Sequence, residues 1–421
     1  MNGLVKMNFW FYSDVNVQYG MVREIPQKME FKQISMDGSL MSFTAINTSL
    51  LVLYIVLILT WFIMGSIKLK FRDITGVFLL TGLVYVFSSY GLEIKGTLLL
   101  LAGLVVSYLG LSPVILSVDK KAVLITGCDR GIGKALAQYL DKEGFKVYAG
   151  CLNNDSQTTE DLVTSCSNRL HTIQLDVSNE NQIKTAANII QKDIEMSGLK
   201  LWGVINNAGI CLIGNVEMMV TEDIHKILAV NYLGPVSVCK HFLPLLRDSQ
   251  GRIVNVASNC GLAPVPLMGV YCASKSALAT MSEVWRFELR MWKIKVCTII
   301  PSGYKTGIMA YDKAEVAERW WKKASDSVKE NYGKDCFYIR HKLKDPDVYL
   351  SSDFSEILNN IKLALLSASP KSHYYSGLLS RSLPFLYLHL PSCIGDRVMS
   401  VMVNWFDFVP KALSRQQKVY N

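Results

Sequence analysis

One short segment limits the fold of this 421-residue chain more than any other. Residues 126–133 read Thr-Gly-Cys-Asp-Arg-Gly-Ile-Gly and lie between a strand-like run and a helix-length segment. Gly127 and Gly131 allow a tight turn beside a pyrophosphate, and Gly133 lets the helix approach the strand. The free N–H groups at the start of that helix attract phosphate. Strand, glycine turn and helix together predict a dinucleotide site.

The sequence beyond residue 118 alternates strand-like with helix-like segments. Short runs rich in β-branched residues are separated by segments long enough for helices. This alternation predicts an α/β fold, a doubly wound parallel sheet of the Rossmann type, which we place at 119–310. The predicted strands are residues 122–126, 146–149, 171–175, 202–206, 252–256 and 295–300, and the predicted helices include 132–143, 180–196 and 222–246.

The first third of the chain has a different, apolar character. Half of all residues are hydrophobic, and the runs at 50–67, 74–92 and 96–118 each approach the ~20 residues that a helix needs to cross a bilayer. We predict an N-terminal extension at 1–48, followed by a transmembrane helical region of about three helices at 49–118. Two spans with one interfacial segment, or buried helices of a globular core, are the alternatives.

Basic residues in the first predicted loop indicate the topology. Lys68, Lys70 and Arg72 lie between the first two apolar runs, and positively charged short loops stay on the cytoplasmic side. Two further crossings then place the α/β domain in the cytosol. We therefore expect a multi-pass membrane protein with a cytosolic α/β domain.

The charge and cysteine patterns argue against two other kinds of site. The chain carries 44 Lys and Arg against 35 Asp and Glu, without the local basic cluster that binds nucleic acid. All ten cysteines follow residue 120, and their spacing is not that of metal ligands. We expect no nucleic-acid partner and no metal site, and the buried thiols favour a reducing compartment.

Four side chains fit a proton-transfer site. Tyr271 and Lys275 lie one turn apart near the start of a predicted helix, Ser258 follows the fifth strand, and Asn231 lies in the helix before it. Hydride transfer between an alcohol carbon and a nicotinamide requires the hydroxyl proton to move. A phenol can take that proton only when its pKa falls well below ~10, and a neighbouring ammonium favours the phenolate.

Each of these side chains then has a predicted catalytic role. We expect Tyr271 to be the acid/base group, with its pKa lowered by Lys275. Lys275 would also hold the ribose hydroxyls of the cofactor. Ser258 would hydrogen-bond the substrate oxygen, and Asn231 would anchor a water that relays protons.

Further cofactor contacts are expected where strands end. Asp176 closes the third predicted strand, beside the adenine ring, and Asn207, Ala208 and Gly209 close the fourth. The carboxyl ends of parallel strands form the edge at which such sheets bind ligands. These residues and the glycine turn should therefore meet.

The motifs together carry a resemblance. The elements TGxxxGxG, NNAG, Asn, Ser and YxxxK occur in order from Thr126 to Lys275, and the chain resembles the short-chain dehydrogenase/reductases. Residues 118–127, 144–153 and 242–247 are similar to its membrane-bound branch of 17-beta-hydroxysteroid, retinol and 3-hydroxybutyrate dehydrogenases. Motifs and resemblance together assign cofactor contacts to Gly127, Asp129, Arg130, Gly131, Ile132, Gly133, Asp176, Asn207, Ala208, Gly209, Tyr271, Lys275 and Thr306.

The choice between NAD and NADP stays open. Arg130 precedes Gly131, where a basic side chain can pair with the 2′-phosphate of NADP, but relatives in this branch mostly use NAD. The second predicted strand ends in Ala149, Gly150 and Cys151, with neither an acid nor a base. The family's usual Pro-Gly is replaced by Pro-Ser-Gly at 301–303, which alters the loop beside the nicotinamide.

Residues 311–421 are predicted to form a substrate lid and an apolar, membrane-associated C-terminal region. The runs at 378–390 and 398–409 are too short to span a bilayer, and packing against the core is the alternative. We expect residues 320–323 to form a solvated face, and His373 and His389 to be structural.

The resemblance implies a membrane-anchored NAD(P)-dependent oxidoreductase of the endoplasmic reticulum. It would interconvert a secondary alcohol and a ketone on a lipophilic substrate, preferably a steroid. A retinoid alcohol, 3-hydroxybutyrate and a non-catalytic membrane scaffold are the alternatives. The expected partners are that lipophilic small molecule, the lipid bilayer and a second copy of the chain as a homodimer.

Overall fold

A seven-stranded parallel sheet organises the part of the chain that the computed structural model describes, residues 114–338, 350–397 and 410–413. The strand order is 3-2-1-4-5-6-7. The strands are β1 (Lys121–Thr126), β2 (Lys146–Cys151), β3 (Leu170–Gln174), β4 (Lys200–Asn206), β5 (Arg252–Val256), β6 (Lys295–Pro301) and β7 (His373–Ser376).

Helices connect these strands and cover both faces of the sheet. They are α1 (Gly131–Lys142), α2 (Gln157–Thr164), α3 (Glu180–Ser197), α4 (Thr221–Leu228), α5 (Gly234–Ser249), α6 (Gly269–Glu288), α7 (Lys313–Lys323), α8 (Asp326–Tyr332), α9 (Lys334–Phe337), α10 (Ser355–Leu366) and α11 (Ser382–His389). The predicted doubly wound α/β fold is confirmed.

The predicted membrane region lies largely outside the described residues. Residues 1–113, which hold the N-terminal extension and almost all of the three apolar runs, are not described, and neither are 398–409. Within the described ranges, no helix combines the length and the apolar character needed to cross a bilayer.

Two apolar cores form because alternate residues of each strand face opposite sides. Val123 and Ile125 of β1 pack on one side with Leu136 of α1 and Ile361 of α10. On the other side, Ala122 and Leu124 pack with residues that include Ile190 of α3, Phe242 of α5 and Trp285 of α6. Covering both faces is what allows an all-parallel sheet, because it leaves neither apolar face in water.

The predicted helix at 222–246 is interrupted, which corrects the sequence-based expectation. Helix α4 ends at Leu228, a π-helical turn covers Ala229–Leu233, and α5 begins at Gly234. Pro235 has no N–H to donate to the carbonyl of Asn231, so the regular helical ladder cannot run through this point. The interruption falls on the residue that was predicted to act in catalysis.

The sheet also receives a strand that the sequence pattern did not indicate. β7 has only four residues and pairs in parallel with β6, from Thr298 opposite His373 to Pro301 opposite Ser376. His373 lies in this strand, and its Nε2 is 3.3 Å from a carboxylate oxygen of Glu283. The region after residue 310 therefore contributes to the sheet as well as to the predicted lid.

A buried arginine ties α10 to the sheet. The Arg252 guanidinium, on β5, donates to the carbonyls of Ala364 (3.1 Å) and Ser367 (2.8 Å) at the end of α10. The indole N–H of Trp202, on β4, donates to the carbonyl of Leu365 at 2.8 Å. These donors satisfy carbonyls that the last turn of a helix leaves free, and the cation lies at the negative end of the helix dipole.

Replacing Arg252 should test this anchor. Arg252→Met removes two charged hydrogen bonds and leaves buried carbonyls unpaired, so the free energy of unfolding should fall by about 3 kcal/mol. Urea unfolding followed by tryptophan fluorescence would measure the change. Arg290→Met, at an exposed arginine, is the matched control. Equal stability of the two variants would contradict the anchoring role.

Candidate active site

The glycine turn adopts the tight geometry that the sequence predicts. Gly127 and Gly131 have φ angles of 72° and 60°, which other residues rarely adopt. A Cβ on Gly133 would lie 2.0 Å from the Gly127 carbonyl oxygen, so only glycine fits there. α1 begins at Gly131, and the side chain of Arg130 does not cap its first N–H groups. The turn therefore fits a dinucleotide phosphate.

The end of β4 is bonded to this turn. The Asn207 amide donates to the carbonyls of Thr126 (2.9 Å) and Gly127 (3.1 Å). The Thr126 hydroxyl accepts from the backbone N–H groups of Asn207 and Ala208, each at 3.1 Å. The structure thus brings the predicted cofactor residues of β1 and β4 together.

Thr306 also reaches the glycine turn, from the loop that follows β6. A Cβ on Gly131 would lie 2.6 Å from the Thr306 carbonyl oxygen. Ile132 is half-buried beside this contact. The exposed Arg130 runs along Gly307, where an added Cβ would lie 3.3 Å from the arginine Cδ. The loop after β6 therefore closes over the start of α1.

The two predicted carboxylates are held by nearby backbone groups. Asp129 accepts hydrogen bonds from the N–H groups of Leu152 (2.8 Å) and Asn153 (3.3 Å), just after β2. Asp176 accepts from the N–H of Ser178 at 2.8 Å, just after β3. Asp129 therefore holds the loop that follows β2. Asp176 follows β3, which is separated from β1 by β2, so it lies farther from the glycine turn along the strand edge.

Tyr271 and Lys275 are buried at the start of α6. Their relative exposures are 8% and 3%, and the Lys275 ammonium lies 5.9 Å from the centre of the Tyr271 ring. That ammonium donates to the carbonyl of Val256, the last residue of β5, at 2.8 Å. Ser258 follows two residues later and is also buried. A hydrogen bond from Ser258 favours ionisation of Tyr271.

Asn231 links the loop after β4 to α6. Its amide nitrogen donates to the carbonyl of Ile210 (2.9 Å) and to the hydroxyl of Ser274 (3.0 Å). Its amide oxygen accepts from the N–H of Ile210 at 2.9 Å. Gly209 lies beside this link, since a Cβ there would be 3.4 Å from the Lys275 ammonium. The fully buried Asn231 side chain therefore positions two segments of the site.

Burial governs the ionisation of the site in the protein alone. It raises the pKa of Tyr271 well above its usual value, with further increases from Cys260 and Cys211, and only the Ser258 hydrogen bond opposes them. Burial also lowers the pKa of Lys275 to about 8. Burial is the largest influence on both groups, because each ionised form loses its hydration. The effect of Lys275 on the Tyr271 pKa in the complete site stays a prediction.

Sequence reasoning missed three thiols around this tyrosine. Cys211, Cys260 and Cys272 all influence the pKa of Tyr271. They come from the loop after β4, the loop after β5 and the first turn of α6. Cys272 adjoins Tyr271 in sequence and Cys260 follows Ser258 by two positions, and that proximity is the signal that could have revealed them.

Helix α7, in the segment that was predicted to form a lid, packs against the loop after β4 and against α4. The buried carboxylate of Asp223, on α4, accepts from the Trp320 indole (2.7 Å) and from Arg319 (2.5 Å). The Trp320 ring also packs directly against Gly214, where an added Cβ would lie 2.3 Å from a ring carbon. The prediction of a solvated face at 320–323 is wrong for Trp320, because its indole has a buried partner on another helix.

Backbone hydrogen bonds join the chain just after β6 to the chain just before α10. The N–H of Ser351 donates to the carbonyl of Gly303 at 3.1 Å, and the N–H of Lys305 donates to the carbonyl of Ser351 at 2.9 Å. Gly303 lies just after β6, and Ser351 lies just before α10. The chain that leaves β6 is therefore hydrogen-bonded to the chain that enters α10.

Comparison with known proteins gives consistent matches. The short chain dehydrogenase family profile matches residues 121–317. Estradiol 17-beta-dehydrogenase 2 of Mus musculus is 39% identical over 294 residues, covering 68% of this chain and 75% of that protein. Mitochondrial D-beta-hydroxybutyrate dehydrogenase of Bos taurus is 34% identical over 294 residues, covering 67% and 84%. A solved short chain dehydrogenase from Burkholderia cenocepacia, in complex with NADP, aligns with a TM-score of 0.50 at 21% identity, covering 66% and 97%.

The fold and these matches define an oxidoreductase that uses NAD or NADP and acts on CH–OH groups. The chain belongs to the short-chain dehydrogenase family, in the branch that includes the steroid and hydroxybutyrate dehydrogenases. The resemblance inferred from the motifs is thereby confirmed. The roles of the individual site residues stay predictions.

The low pKa of Lys275 predicts a pH-dependent stability. Between pH 8 and 10.5 the folded protein has lost the lysine proton that the unfolded chain still binds, so unfolding takes up a proton and stability rises with pH. Over that window the free energy of unfolding of the wild type should rise by roughly 3 kcal/mol relative to Lys275→Met.

Urea unfolding of both proteins at several pH values would measure this difference. Lys240→Met, at an exposed lysine on α5, is the control. The difference between its free energy of unfolding and that of the wild type should not change with pH. If the free energies of unfolding of the wild type and of Lys275→Met differed by the same amount at every pH in the window, the lowered pKa of Lys275 would be contradicted.

Proposed function

We propose that the protein interconverts a secondary alcohol and a ketone on a lipophilic substrate, most favourably a steroid, with NAD or NADP. The observation that carries the proposal is the convergence of Tyr271, Lys275 and Ser258 at the strand edge that holds the glycine turn. The similarity to an estradiol 17-beta-dehydrogenase over three quarters of that protein supports the steroid class.

The residues beside the candidate site favour an apolar substrate. Val270, next to Tyr271, packs with Met218, Trp320 and Phe337 in a buried apolar cluster between α6 and the lid. A lipophilic alcohol therefore fits better than 3-hydroxybutyrate.

Tyr271 takes the alcohol proton in the proposed reaction, and Ser258 hydrogen-bonds the substrate oxygen. Lys275 stabilises the phenolate and holds the ribose hydroxyls. Asn231 positions Ile210 and Ser274 around this group and anchors the water that relays protons. The dinucleotide supplies the redox chemistry when bound.

We further propose that the enzyme is anchored in the endoplasmic reticulum membrane by the apolar runs at 49–118, with its catalytic domain in the cytosol. Exposed apolar side chains in the C-terminal region, including Leu378, Leu388 and Ile394, support an additional contact with the bilayer. The exposed Phe287 and Met291, on α6 and just after it, support a homodimer.

Replacing the tyrosine tests the proposed acid/base role. Tyr271→Phe removes the proton-transfer group, so kcat should fall by about 10²–10⁴-fold. The full chain in microsomes would be assayed by nicotinamide absorbance with estradiol, retinol and 3-hydroxybutyrate, each with NAD and with NADP. Tyr139→Phe, on α1, is the control.

Tyr271→Phe should weaken binding of the dinucleotide far less than it lowers kcat, because the glycine turn and Lys275 are unchanged. Undiminished turnover in this variant would refute the mechanism. Turnover of 3-hydroxybutyrate but not of a steroid would refute the substrate class.

Removing the lid contact should affect substrate binding. Asp223→Ala leaves the buried Trp320 indole and Arg319 without their shared acceptor, which weakens lid docking by about 1–3 kcal/mol. The KM for the lipophilic alcohol should rise several-fold, while the KM for the dinucleotide should change little. Asp248→Ala, at an exposed carboxylate on α5, is the control. An unchanged substrate KM would contradict the role of the lid.

A further inference from the structure

A buried serine lies between the two candidate catalytic residues of α6. Ser274 follows Tyr271 by three positions and directly precedes Lys275. Its side chain is fully buried, and so is that of Asn231 on the π-helical turn between α4 and α5. The Asn231 amide nitrogen donates to the Ser274 hydroxyl at 3.0 Å. This hydrogen bond joins the interrupted helix to the helix that carries Tyr271.

The direction of this hydrogen bond is fixed by the neighbouring groups. The Ser274 hydroxyl donates its single proton to the carbonyl of Tyr271 at 2.7 Å, so it can only accept from Asn231. The Asn231 amide also meets the backbone of Ile210, since its oxygen accepts from the N–H and its nitrogen donates to the carbonyl. The second amide hydrogen is then left for Ser274. Each donor in this chain of hydrogen bonds therefore has its own acceptor.

The Ser274 hydroxyl is not placed to transfer a proton itself. Its proton is held by the Tyr271 carbonyl, and the side chain has no exposed surface. The loop that it holds through Asn231 does border the site, because a Cβ on Gly209 would lie 3.4 Å from the Lys275 ammonium. Ser274 can thus act on the reaction only through the positions of other groups.

Helix α6 is held from two sides near its start. Towards β5, the Lys275 ammonium donates to the carbonyl of Val256 at 2.8 Å, and a Cβ on Gly261 would lie 2.7 Å from the Lys275 carbonyl carbon. Towards the loop after β4, the helix is held by the hydrogen bond between Asn231 and Ser274. Loss of that bond would allow the first turn of α6 to shift relative to this loop.

We propose that Ser274 is a positioning residue, whose hydroxyl holds the buried Asn231 amide and thereby fixes Tyr271 and Lys275 against the loop after β4. The inference rests on the proposed function, because it concerns proton transfer at Tyr271. A displacement of ~1 Å at a catalytic group can lower the rate by about 10²-fold. Ser274 should therefore influence kcat far more than binding of the dinucleotide, since the glycine turn lies between β1 and α1.

A second serine on α6 makes the same pattern of hydrogen bonds. Ser282, two helical turns after Lys275, is also buried. Its hydroxyl accepts from the Asn255 amide at 2.8 Å and donates to the carbonyl of Leu278 at 2.7 Å. Ser282→Ala therefore removes the same kinds of bonds as Ser274→Ala, but away from Tyr271. It is the matched control for loss of stability.

Steady-state kinetics of the full chain in microsomes tests the proposal, with whichever of estradiol, retinol and 3-hydroxybutyrate the wild type turns over. Ser274→Ala should lower kcat by about 10–10²-fold and leave the KM for the dinucleotide nearly unchanged. Ser274→Cys keeps the volume but weakens both hydrogen bonds, so its kcat should lie between those of Ser274→Ala and the wild type. Ser282→Ala should keep the kcat of the wild type, although its midpoint of urea unfolding should fall as that of Ser274→Ala does.

A double-mutant cycle tests whether Ser274 acts through Asn231. Asn231→Ala alone should lower kcat, because it removes the same hydrogen bond from the other side. Adding Ser274→Ala to that variant should then lower kcat little further. Residues that act independently would instead multiply their effects on kcat.

Three results would overturn the inference: a kcat of Ser274→Ala equal to that of the wild type, an equal loss of kcat in Ser282→Ala, or losses that multiply in the double variant. A wild type that is inactive on every alcohol with both dinucleotides would refute the proposed function itself, together with the positioning role that rests on it.

Discussion

The hydrogen bond from the Lys275 ammonium to the carbonyl of Val256 is the contact on which the candidate site depends. It joins the carboxyl end of β5 to the second turn of α6, and so sets the distance between Ser258 and Tyr271. The ammonium is buried to make this bond. Burial is unfavourable for this cation, because no carboxylate of the described residues forms an ion pair with it. The lysine that the proposed chemistry requires therefore lowers the stability of the folded protein.

Neutral polar links hold the rest of the edge in place. Asn207 bonds the end of β4 to the glycine turn, and Asn231 bonds the next loop to α6. Amides suit these positions because they both donate and accept, and they add no net charge to the buried site. In this arrangement Lys275 carries the positive charge of the candidate site, and the groups that hold the surrounding segments are neutral amides and carbonyls.

The sequence allowed prediction of those parts of the fold and site that are determined locally. The strands, the glycine turn and the Tyr271–Lys275 pair each depend on residues a few positions apart. The break at Asn231 was missed, although Pro235 was visible, because the flanking apolar pattern continues across it. Trp320 was assigned to the surface because its partner, Asp223, lies on another helix. The thiol group was missed for the same reason, since its members come from three segments.

The backbone hydrogen bonds of Ser351 with Gly303 and Lys305 hold the chain just after β6 beside the chain just before α10. These bonds are made by backbone groups, so they do not depend on which side chains the intervening segment carries. Natural divergence could therefore change the side chains that cover the site, whereas Thr306, which contacts the glycine turn, is constrained. One ancestral catalyst could in this way have given rise to enzymes for bulky and for small alcohols.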